Sequence, residues 1–389
     1  MHARTADVRT TQKKRNILQV AQTAENRTFP TECAHSVDTM EDAPSFRKHK
    51  SKVPHLGIDL LGGDLVSPDH VLETLHALYS EVATPFCLTV FSTPEIAVYI
   101  EAFKKANNLK ETDLKIFQTE EIIHMDDDPL YAIRKKKQSS MCLGMKLLRD
   151  RHIDALVSTG NTGALIASAK LFLPMLQGIS RTALITLLPT KKEPIAVIDV
   201  GANIQCTPEH LVHFAQMGIA YQKAREIKKP TVGLLNIGVE EKKGRAELRE
   251  TYKLLQRFNG EETIFVGNVE GKKVFSGDIH VLVTDGFTGN IFLKTAEGLS
   301  SFILDTMKKN QNLIPFSKPL LQHLEAELYS AEYPGAILCG IDGVIIKCHG
   351  DAGPEALKCG VQGAINLLQG KFLDKIKLEL NPWTCPRSK

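Results

Sequence analysis

From Val53 onward the chain alternates short, continuously apolar runs with amphipathic stretches at helical spacing, and this alternation constrains the fold most. Strands that are apolar along their whole length are typical of a sheet with both faces covered. Strands that alternate with helices favour parallel pairing. The sequence therefore predicts an α/β fold with a mainly parallel sheet. The predicted strands are LGIDL, FCLTVF, LKIF, DALVS, ALITLL, IAVIDV, TVGLLNIG, TIFVG, HVLVT and Val344–Lys347.

The segment ALITLLPTKKEPIAVIDV departs from this rhythm, because two apolar runs follow each other with a short polar turn between them. It predicts a hairpin. Elsewhere, helices are predicted from about Pro68, from about Pro94 and near residues 130–150, 162–174, 208–227 and 354–369.

The two ends of the chain are predicted to lie outside the folded domain. Residues 1–52 are poor in large apolar residues and rich in threonine and charged residues, which predicts a disordered tail. A transit peptide, or a start codon placed upstream of a true beginning at Met40, are alternative interpretations. The domain is predicted to span 53–375, and 376–389 to form a C-terminal tail.

Composition excludes several classes of function. The 389 residues carry a formal net charge of +3 without aromatic residues interleaved among basic ones, so nucleic acid is not an expected partner. No apolar run reaches the ~18 residues of a membrane-spanning helix. The eight cysteines lack C-x-x-C spacing and are predicted to be reduced thiols. No His, Cys and carboxylate cluster has ligand spacing, so no metal is expected.

Glycine-rich loops follow six of the predicted strands. An ordinary turn explains any one of them, because glycine is common at turns and helix ends. The carboxyl ends of parallel strands lie on one edge of a sheet, so the six loops together are predicted to line one ligand-binding crevice. They are Gly62-Gly63-Asp64, Ser158–Gly163, Asp199–Asn203, Gly238, Asp285–Asn290 and His349–Gly353.

The loop in STGNTGALIASAK has the clearest chemistry. Glycines on both sides of Asn161-Thr162 bring backbone N–H groups to a predicted helix N-terminus, which suits phosphate or another oxyanion. The loop lacks the GK[ST] ending of a P-loop and the G-x-G-x-x-G spacing of a dinucleotide site. It therefore predicts an anion site without a nucleotide fingerprint.

Two charged segments are further candidates. Lys243, in the loop after TVGLLNIG, is placed to act as a point charge on phosphate, and a solvated charged turn is the alternative. A second segment is a candidate dock for an acidic partner or a phosphate, with an exposed helix face as the alternative. It follows Pro129 at a predicted helix start and consists of Arg134, Lys135, Lys136 and Lys137.

Residues 300–335 interrupt the α/β rhythm with two stretches at helical spacing, separated by Pro315. They predict a helical hairpin that projects from the sheet. Dimer packing and an interfacial membrane anchor are two compatible interpretations of its apolar tip. The apolar residues at and near the tip are Leu313, Ile314, Phe316, Leu320 and Leu321.

In order and spacing these segments resemble the bacterial phosphate acyltransferases of phospholipid synthesis, from about Gly57 to Gln369. The resemblance implies a three-layer α/β/α sandwich like that of phosphotransacetylases and isopropylmalate-type dehydrogenases. It also implies a cytoplasmic homodimer that contacts the inner face of the membrane peripherally through the 300–335 hairpin. The segments that carry it are GIDLLGGD, DPLYAIRKKKQSSM, DALVSTGNTGAL, GISRTALITLLPT, IDVGANIQCTPEHLVHFAQMG, VGLLNIGVEEKKG, FVGNVEG, TDGFTGNIFLKTAEG and CHG.

The reaction that the resemblance implies is transfer of a fatty acyl chain from acyl carrier protein to inorganic phosphate, without a metal or organic cofactor. The acyl phosphate would be used by a membrane glycerol-3-phosphate acyltransferase. The alternatives are a phosphotransacetylase-type enzyme that uses acyl-CoA and a catalytically weak, membrane-associated partner of lipid synthesis. The missing dinucleotide motif disfavours an oxidoreductase on the same fold.

The resemblance assigns catalytic roles to three residues. Lys243 and Asn290 match the functional lysine and asparagine of the family, with Asp285 in support. Lys243 would bind phosphate or the developing charge, and Asn290 would donate to the thioester carbonyl. The predicted phosphate- and substrate-binding residues are Gly62, Gly63, Asp64, Gly160, Asn161, Thr162, Gly163, Asn203, Gly286, Gly289 and His349.

Four positions depart from the family pattern. Leu65 stands where the family usually has histidine, and Thr207 where it often has lysine. Asp351-Ala352 stands where it has two serines. A carboxylate at position 351 is unfavourable to phosphate binding by that loop.

Overall fold

The computed structural model describes residues 53–260, 263–310 and 335–380, together with residues 319, 321, 323 and 324. Its strands are β1 (His55–Asp59), β2 (Cys87–Ser92), β3 (Leu114–Gln118), β4 (Ala155–Ser158), β5 (Ala183–Leu188), β6 (Ile195–Ile198), β7 (Thr231–Leu235), β8 (Ile264–Val269), β9 (Val281–Val283), β10 (Ala336–Cys339) and β11 (Val344–Lys347). They form one sheet in the order β3-β2-β1-β4-β11-β10-β5-β6-β9-β7-β8.

Strand direction divides this sheet into two halves. Every neighbouring pair is parallel except β11–β10, β10–β5 and β5–β6. The mainly parallel prediction is confirmed, and so is the hairpin formed by β5 and β6. Because three reversals lie between β11 and β6, strands β6, β9, β7 and β8 run opposite to β1 to β4 and β11. Their carboxyl ends therefore lie on the other edge of the sheet.

Helices cover both faces of the sheet. They are α1 (Pro68–Glu81), α2 (Pro94–Ala106), α3 (Pro129–Lys135), α4 (Ser140–Arg149), α5 (Thr162–Phe172), α6 (Pro208–Ala224), α7 (Ala246–Leu255), α8 (Gly286–Lys309), α9 (Pro354–Gln369) and α10 (Phe372–Leu380), with 3₁₀ turns at Gln256–Phe258 and Gly271–Ser276.

Residues that alternate along each strand belong to separate apolar clusters. In β4, Ala155 and Val157 pack in a cluster with residues of α1, α6 and α9. Leu156, between them, packs in a cluster with residues of α4 and α5. Alternation of this kind is how a strand is buried on both faces. The three-layer α/β/α prediction is thus confirmed.

Local sequence starts the helices where they were predicted. Ser67, Thr93 and Thr207 each cap a helix with a side-chain oxygen and precede a proline at its first position. The predicted helix near 130–150 is instead two helices, because the Ser139 side chain accepts a hydrogen bond from the Cys142 N–H and starts α4 afresh.

The described chain differs from the predicted boundaries at its C-terminal end. Helix α10 continues past residue 375, and Ile376 and Leu380 are buried, so these residues pack with the domain rather than form a tail. The predicted N-terminal tail, 1–52, lies outside the described residues. No helix in the described ranges is long and apolar enough to cross a membrane.

Candidate active site

The predicted site residues fall into two groups of loops on opposite edges of the sheet. The first loop group comprises 62–64, 158–163 and 349–353, which follow β1, β4 and β11. The second loop group comprises 199–203, 236–245 and 285–290, which follow β6, β7 and β9. The prediction that six loops converge on one crevice is therefore wrong, because it did not take into account the reversal of strand direction produced by the three antiparallel pairings.

The three loops of the first group contact one another. The Asp64 N–H donates to the Gly350 carbonyl at 2.7 Å. A side chain at Gly63 would meet the Thr159 hydroxyl and the Gly350 carbonyl at under 3 Å, so only glycine fits there. Gly62 likewise lies against the backbone of Gly160. These predicted residues are thus brought together, with tight packing as one reason for the glycines.

The side chain of Asn161 is used within the fold. Its Oδ1 accepts a hydrogen bond from the Ala164 N–H at 3.0 Å and caps α5. Its Nδ2 donates to the carbonyls of Met125 at 2.9 Å and Asp127 at 3.3 Å. Because both ends of the amide are occupied, Asn161 shapes the loop. Any contact with phosphate in this loop would then be made by the backbone N–H groups of the neighbouring residues.

The backbone N–H groups of Thr162 and Gly163 are the open donors of the first loop group. They occupy the first two positions of α5, where a helix has no internal acceptor for its N–H groups. Within the described ranges neither N–H has a hydrogen-bond partner. Both residues are partly exposed. This pair, at the positive end of the α5 dipole, can bind an oxyanion.

A buried carboxyl, Asp59, lies under these donors and was missed by the sequence analysis. It ends β1, is 1% exposed, and accepts hydrogen bonds from the Ser158 hydroxyl at 2.9 Å and the Leu61 N–H. Burial raises the pKa of Asp59, and the hydrogen bonds from Ser140 and Ser158 oppose that shift. The Ser158 hydroxyl in turn accepts from the Gly160 N–H at 3.1 Å. Through the Ser158 hydroxyl, Asp59 therefore holds the 158–163 loop in place.

The loop after β11 adds a histidine and a lysine. His349 is exposed, and its Nδ1 contacts the Asp351 carboxylate. Asp351, one of the departures from the family pattern, therefore orients His349. Lys347 is buried at the end of β11 and was not predicted as a site residue.

The backbone N–H groups of the loop after β6, residues 199–203, all have acceptors within the protein. The Asp199 carboxylate is fully buried and accepts from the N–H groups of Leu184, Gly201, Ala202 and Asn203 and from the Asn203 Nδ2. The same Nδ2 donates to the Thr182 carbonyl at 2.7 Å. Burial raises the pKa of Asp199, and these donors act in the opposite direction. Asn203, predicted to bind substrate, is instead a structural residue.

Helix α8 begins in the same self-contained way. The Asp285 carboxylate accepts from the Thr288 N–H at 2.8 Å and caps the helix. The N–H groups of Gly286 and Gly289 donate to the carbonyls of Asn203 and Asp285, both at 2.8 Å. The two predicted glycines therefore have protein partners within this loop group.

Arg245 is the second residue that the sequence analysis missed. Its guanidinium pairs with the Asp285 carboxylate at 2.5 Å, where Asp285 is 4% and Arg245 63% exposed in the side chain. The arginine links the loop after β7 to the start of α8. In the run EEKKGR only Lys243 was predicted as a site residue. No local sequence pattern indicates that Arg245 pairs with Asp285, which is 40 positions away.

Lys243 and Asn290 both lie in the second loop group. Lys243 is exposed, and the Asn236 side chain donates to its carbonyl at 3.1 Å. Asn290 is exposed in the second turn of α8, beside Gly201. Because β4 and β9 are five strand spacings apart, about 24 Å along the sheet, Lys243 does not share the N-terminus of α5 within one chain.

Helices α5 and α8 connect the two loop groups on one face of the sheet. Residues of both helices pack in the same apolar cluster, Leu165 from α5 and Phe292 and Leu293 from α8. Helix α8 starts in the second group, and its Lys294 comes close enough to Lys347 to influence the pKa of that lysine. Helix α8 therefore extends from the second loop group toward the first.

Three of the four predicted docking residues remain available near the first loop group. Helix α3 lies against the start of α5, where a side chain at Gly163 would collide with Pro129. Arg134, Lys135 and Lys137 are exposed. Lys136 instead bonds the Ile122 carbonyl at 2.8 Å and Asp127 at 2.5 Å.

The predicted hairpin is described only in part. Helix α8 is continuous to Lys309 and exposes Leu299, Phe302 and Ile303 on one side. Leu321 is buried. Leu313, Ile314, Phe316 and Leu320 lie outside the described residues.

Comparison with known proteins identifies the family. A family described as "Fatty acid synthesis protein" matches residues 55–375. A phosphate acyltransferase from Chlamydia pneumoniae is 42% identical over 324 residues, which cover 82% of this chain and 97% of that protein. The chain belongs to the phosphate acyltransferase family. A member from Clostridium tetani is 35% identical over 333 residues, 84% of this chain and 97% of that protein.

Solved structures agree with this family assignment at the level of fold. A phosphotransacetylase from Streptococcus pyogenes superposes with a TM-score of 0.56 at 15% identity and covers 83% of this chain and 96% of its own. A phosphotransacetylase from Staphylococcus aureus gives 0.54 at 17%, with 82% and 94% covered. The phosphotransacetylase-like fold prediction is confirmed. At these identities the phosphate acyltransferase family and the phosphotransacetylases share architecture, and their reactions need separate support.

Proposed function

We propose that this phosphate acyltransferase family member transfers a fatty acyl chain from the thioester of acyl carrier protein to inorganic phosphate. The observation that carries the proposal is the open N-terminus of α5. There the Thr162 and Gly163 N–H groups have no acceptor in the part of the chain that the structure describes, and the loops of Gly63 and His349 pack beside their loop. Such a site suits a small oxyanion substrate, and the family supplies the acyl transfer.

The proposed reaction needs no covalent enzyme intermediate. A phosphate oxygen attacks the thioester carbonyl carbon, the new C–O bond forms, and the C–S bond breaks to release the carrier thiol after protonation. The N–H pair would hold phosphate in place and neutralise part of its charge, so the contribution of α5 is orientation and electrostatics.

Asn290 is the proposed donor to the thioester oxygen. Asn290 lies one helical turn before Lys294, whose charge influences the pKa of Lys347, so α8 carries this side chain from the second loop group toward the first. Asp285 supports this residue by capping α8 and pairing with Arg245. Lys243 keeps the role that the family resemblance gives it, as a proposal that its position beside Asn236 does not favour.

Mass spectrometry of the product tests the reaction. Purified protein is mixed with long-chain acyl carrier protein thioester and phosphate, and acyl phosphate is expected. A parallel reaction with acyl-CoA separates this activity from a phosphotransacetylase. Product from acyl-CoA alone, or no product from either donor, would contradict the proposal.

Two variants divide the catalytic roles. Removal of one oxyanion donor typically costs about a hundredfold to a thousandfold in turnover, so Asn290→Ala is expected to lose activity on that scale. Lys243→Ala is measured beside it. Activity of Asn290→Ala within a few-fold of the unaltered protein would remove Asn290 from the mechanism.

Acyl carrier protein is proposed to dock on the exposed basic residues of α3 and its C-terminal end, Arg134, Lys135 and Lys137. They lie beside α5, through the packing of Pro129 on Gly163, and suit an acidic partner. Reversing their charge should raise the KM for the carrier thioester more at low salt than at high salt. Lys253→Glu on α7 is the matched control. An equal effect in both variants would count against this dock.

The exposed apolar side of α8 is proposed to lead into a dimer and membrane contact. Leu299, Phe302 and Ile303 recur at helical spacing where the predicted 300–335 hairpin begins. The enzyme would then act in the cytoplasm at the inner face, where a membrane glycerol-3-phosphate acyltransferase takes its product. Phe302→Asp should reduce cosedimentation with anionic vesicles or shift the dimer to monomer in ultracentrifugation. No change in either measurement would contradict both contacts.

A further inference from the structure

Lys347 has a buried ammonium group with incomplete hydrogen bonding. It ends β11, beside Ser158 of β4, and is 8% exposed. Its Nζ donates to the Thr159 carbonyl at 3.2 Å and to the Cys348 carbonyl. Within the described ranges the third N–H has no acceptor. A buried charge normally has a full set of partners, so this donor points to a ligand.

The ammonium group lies at the loop that opens α5. Thr159, which accepts from Nζ, is three residues before Thr162, whose N–H is open. The lysine and the helix N-terminus are therefore two independent cationic features at one loop. The lysine predicted from the sequence to bind phosphate is Lys243, and the strand directions place it on the opposite edge of the sheet.

The charges around Lys347 are mixed. Burial lowers the pKa of Lys347, the Lys294 ammonium of α8 lowers it further, and Cys348, Asp59 and Asp64 act in the opposite direction. Asp59 is itself buried and hydrogen-bonded to Ser158. Lys294 is exposed and pairs with Glu297 at 2.7 Å, so an anion beside Lys347 would offset the part of the repulsion that Glu297 leaves.

We propose that Lys347 binds the phosphate co-substrate, together with the Thr162 and Gly163 N–H groups. This inference rests on the proposed function. Lysine suits the task because its compact ammonium acts as a point charge on phosphate. The phosphodiester of the carrier's phosphopantetheine has similar chemistry, so the test separates the two sources of phosphate.

Kinetics of Lys347→Met provide that test. Initial rates of acyl phosphate formation are measured first with phosphate varied at saturating thioester, and then with the thioester varied at saturating phosphate. The phosphate KM is expected to rise roughly tenfold to hundredfold, which corresponds to one charge-assisted hydrogen bond, while the thioester KM stays constant. Lys358→Met, on α9 beside Glu81 and Glu355, is the control and should behave like the unaltered protein. A rise confined to the thioester KM would overturn the assignment.

Phosphate binding without turnover separates this inference from the proposed function. Phosphate should raise the melting temperature of the unaltered protein, and Lys347→Met should lose that effect while Lys347→Arg retains part of it. This result would support Lys347 even if no acyl phosphate were made. If Lys347→Met does not fold, a crystal of the unaltered protein soaked in phosphate decides. An anion bonded to Lys347 Nζ supports the inference, and one bound only near Lys243 overturns it.

Discussion

A methyl group at Gly289 tests whether the glycines of the second loop group serve packing or a ligand. An alanine Cβ there would lie 1.9 Å from the Asp199 carbonyl oxygen and 2.8 Å from Thr284 Cγ2. Atoms cannot approach so closely, and Asp199 cannot move easily because its carboxylate is held by several N–H groups. Helix α8 would therefore have to shift away from β6.

The cost can be estimated against a control in the same helix. Overpacking of this kind costs about 1–3 kcal/mol. An alanine at Gly298, which has nothing within 4 Å, is expected to gain up to about 1 kcal/mol from helix propensity. Gly289→Ala gains the same helix propensity, so the two variants should differ by the overpacking cost alone, about 1–3 kcal/mol in free energy of unfolding. Both glycines lose the same backbone freedom, so the difference isolates the contact with Asp199.

Urea denaturation followed by circular dichroism measures this difference, and acyl phosphate formation is measured on the same samples. The expected result is a lower midpoint for Gly289→Ala and an equal or higher midpoint for Gly298→Ala. The reasoning is refuted if Gly289→Ala keeps its stability and loses only activity, because the glycine would then be needed for close approach of a substrate.

Three further predictions follow from the first loop group. Asn161→Ala removes the cap of α5 and the bonds to Met125 and Asp127, so it should cost about 1–3 kcal/mol in the same denaturation assay, and an unchanged midpoint would contradict this role. Asp351→Ser removes a negative charge beside His349 and should lower the phosphate KM several-fold; an unchanged or higher KM would argue against an anion in this loop group. Burial raises the pKa of the Cys348 thiol to about 12, so iodoacetamide at pH 8 should label it in urea but not in the folded protein, as peptide mass mapping would detect. Rapid labelling of the folded protein would refute its burial.

Much of the fold was predictable because its determinants are local. Apolar runs marked ten of the eleven strands, and a capping residue followed by proline marked the starts of α1, α2 and α6. The missed strand, β10, follows residues 325–334 outside the described ranges and is only four residues long. It pairs antiparallel with both neighbours, so missing it also hid two of the three reversals of strand direction.

The site was less predictable because it depends on contacts between distant residues. Asn161, Asn203, Gly286 and Gly289 have the residue types of a binding loop, and each has partners within the protein. A hydrogen-bond donor that faces a ligand and one that faces a carboxylate 40 or 100 positions away have the same local sequence, so sequence spacing cannot distinguish them. Lys347 was overlooked for the converse reason, since a lysine that ends an apolar strand has no local signature of ligand binding.

The N-termini of α5 and α8 differ in which of their N–H groups have acceptors within the protein, and this difference favours anion binding at α5. At α8 the Asp285 carboxylate supplies negative charge from within the chain and pairs with Arg245, and the N–H groups of Gly286 and Thr288 have acceptors. At α5 the cap is the neutral Asn161 amide. Among the described residues the first two N–H groups of α5 have no acceptor, and the buried Lys347 ammonium at the same loop has two acceptors for its three N–H bonds. An anionic substrate would be repelled at α8 and stabilised at α5. Substitutions in the loops that start α8 should therefore act mainly through stability and the placement of Asn290, whereas those around α5 should act on phosphate affinity.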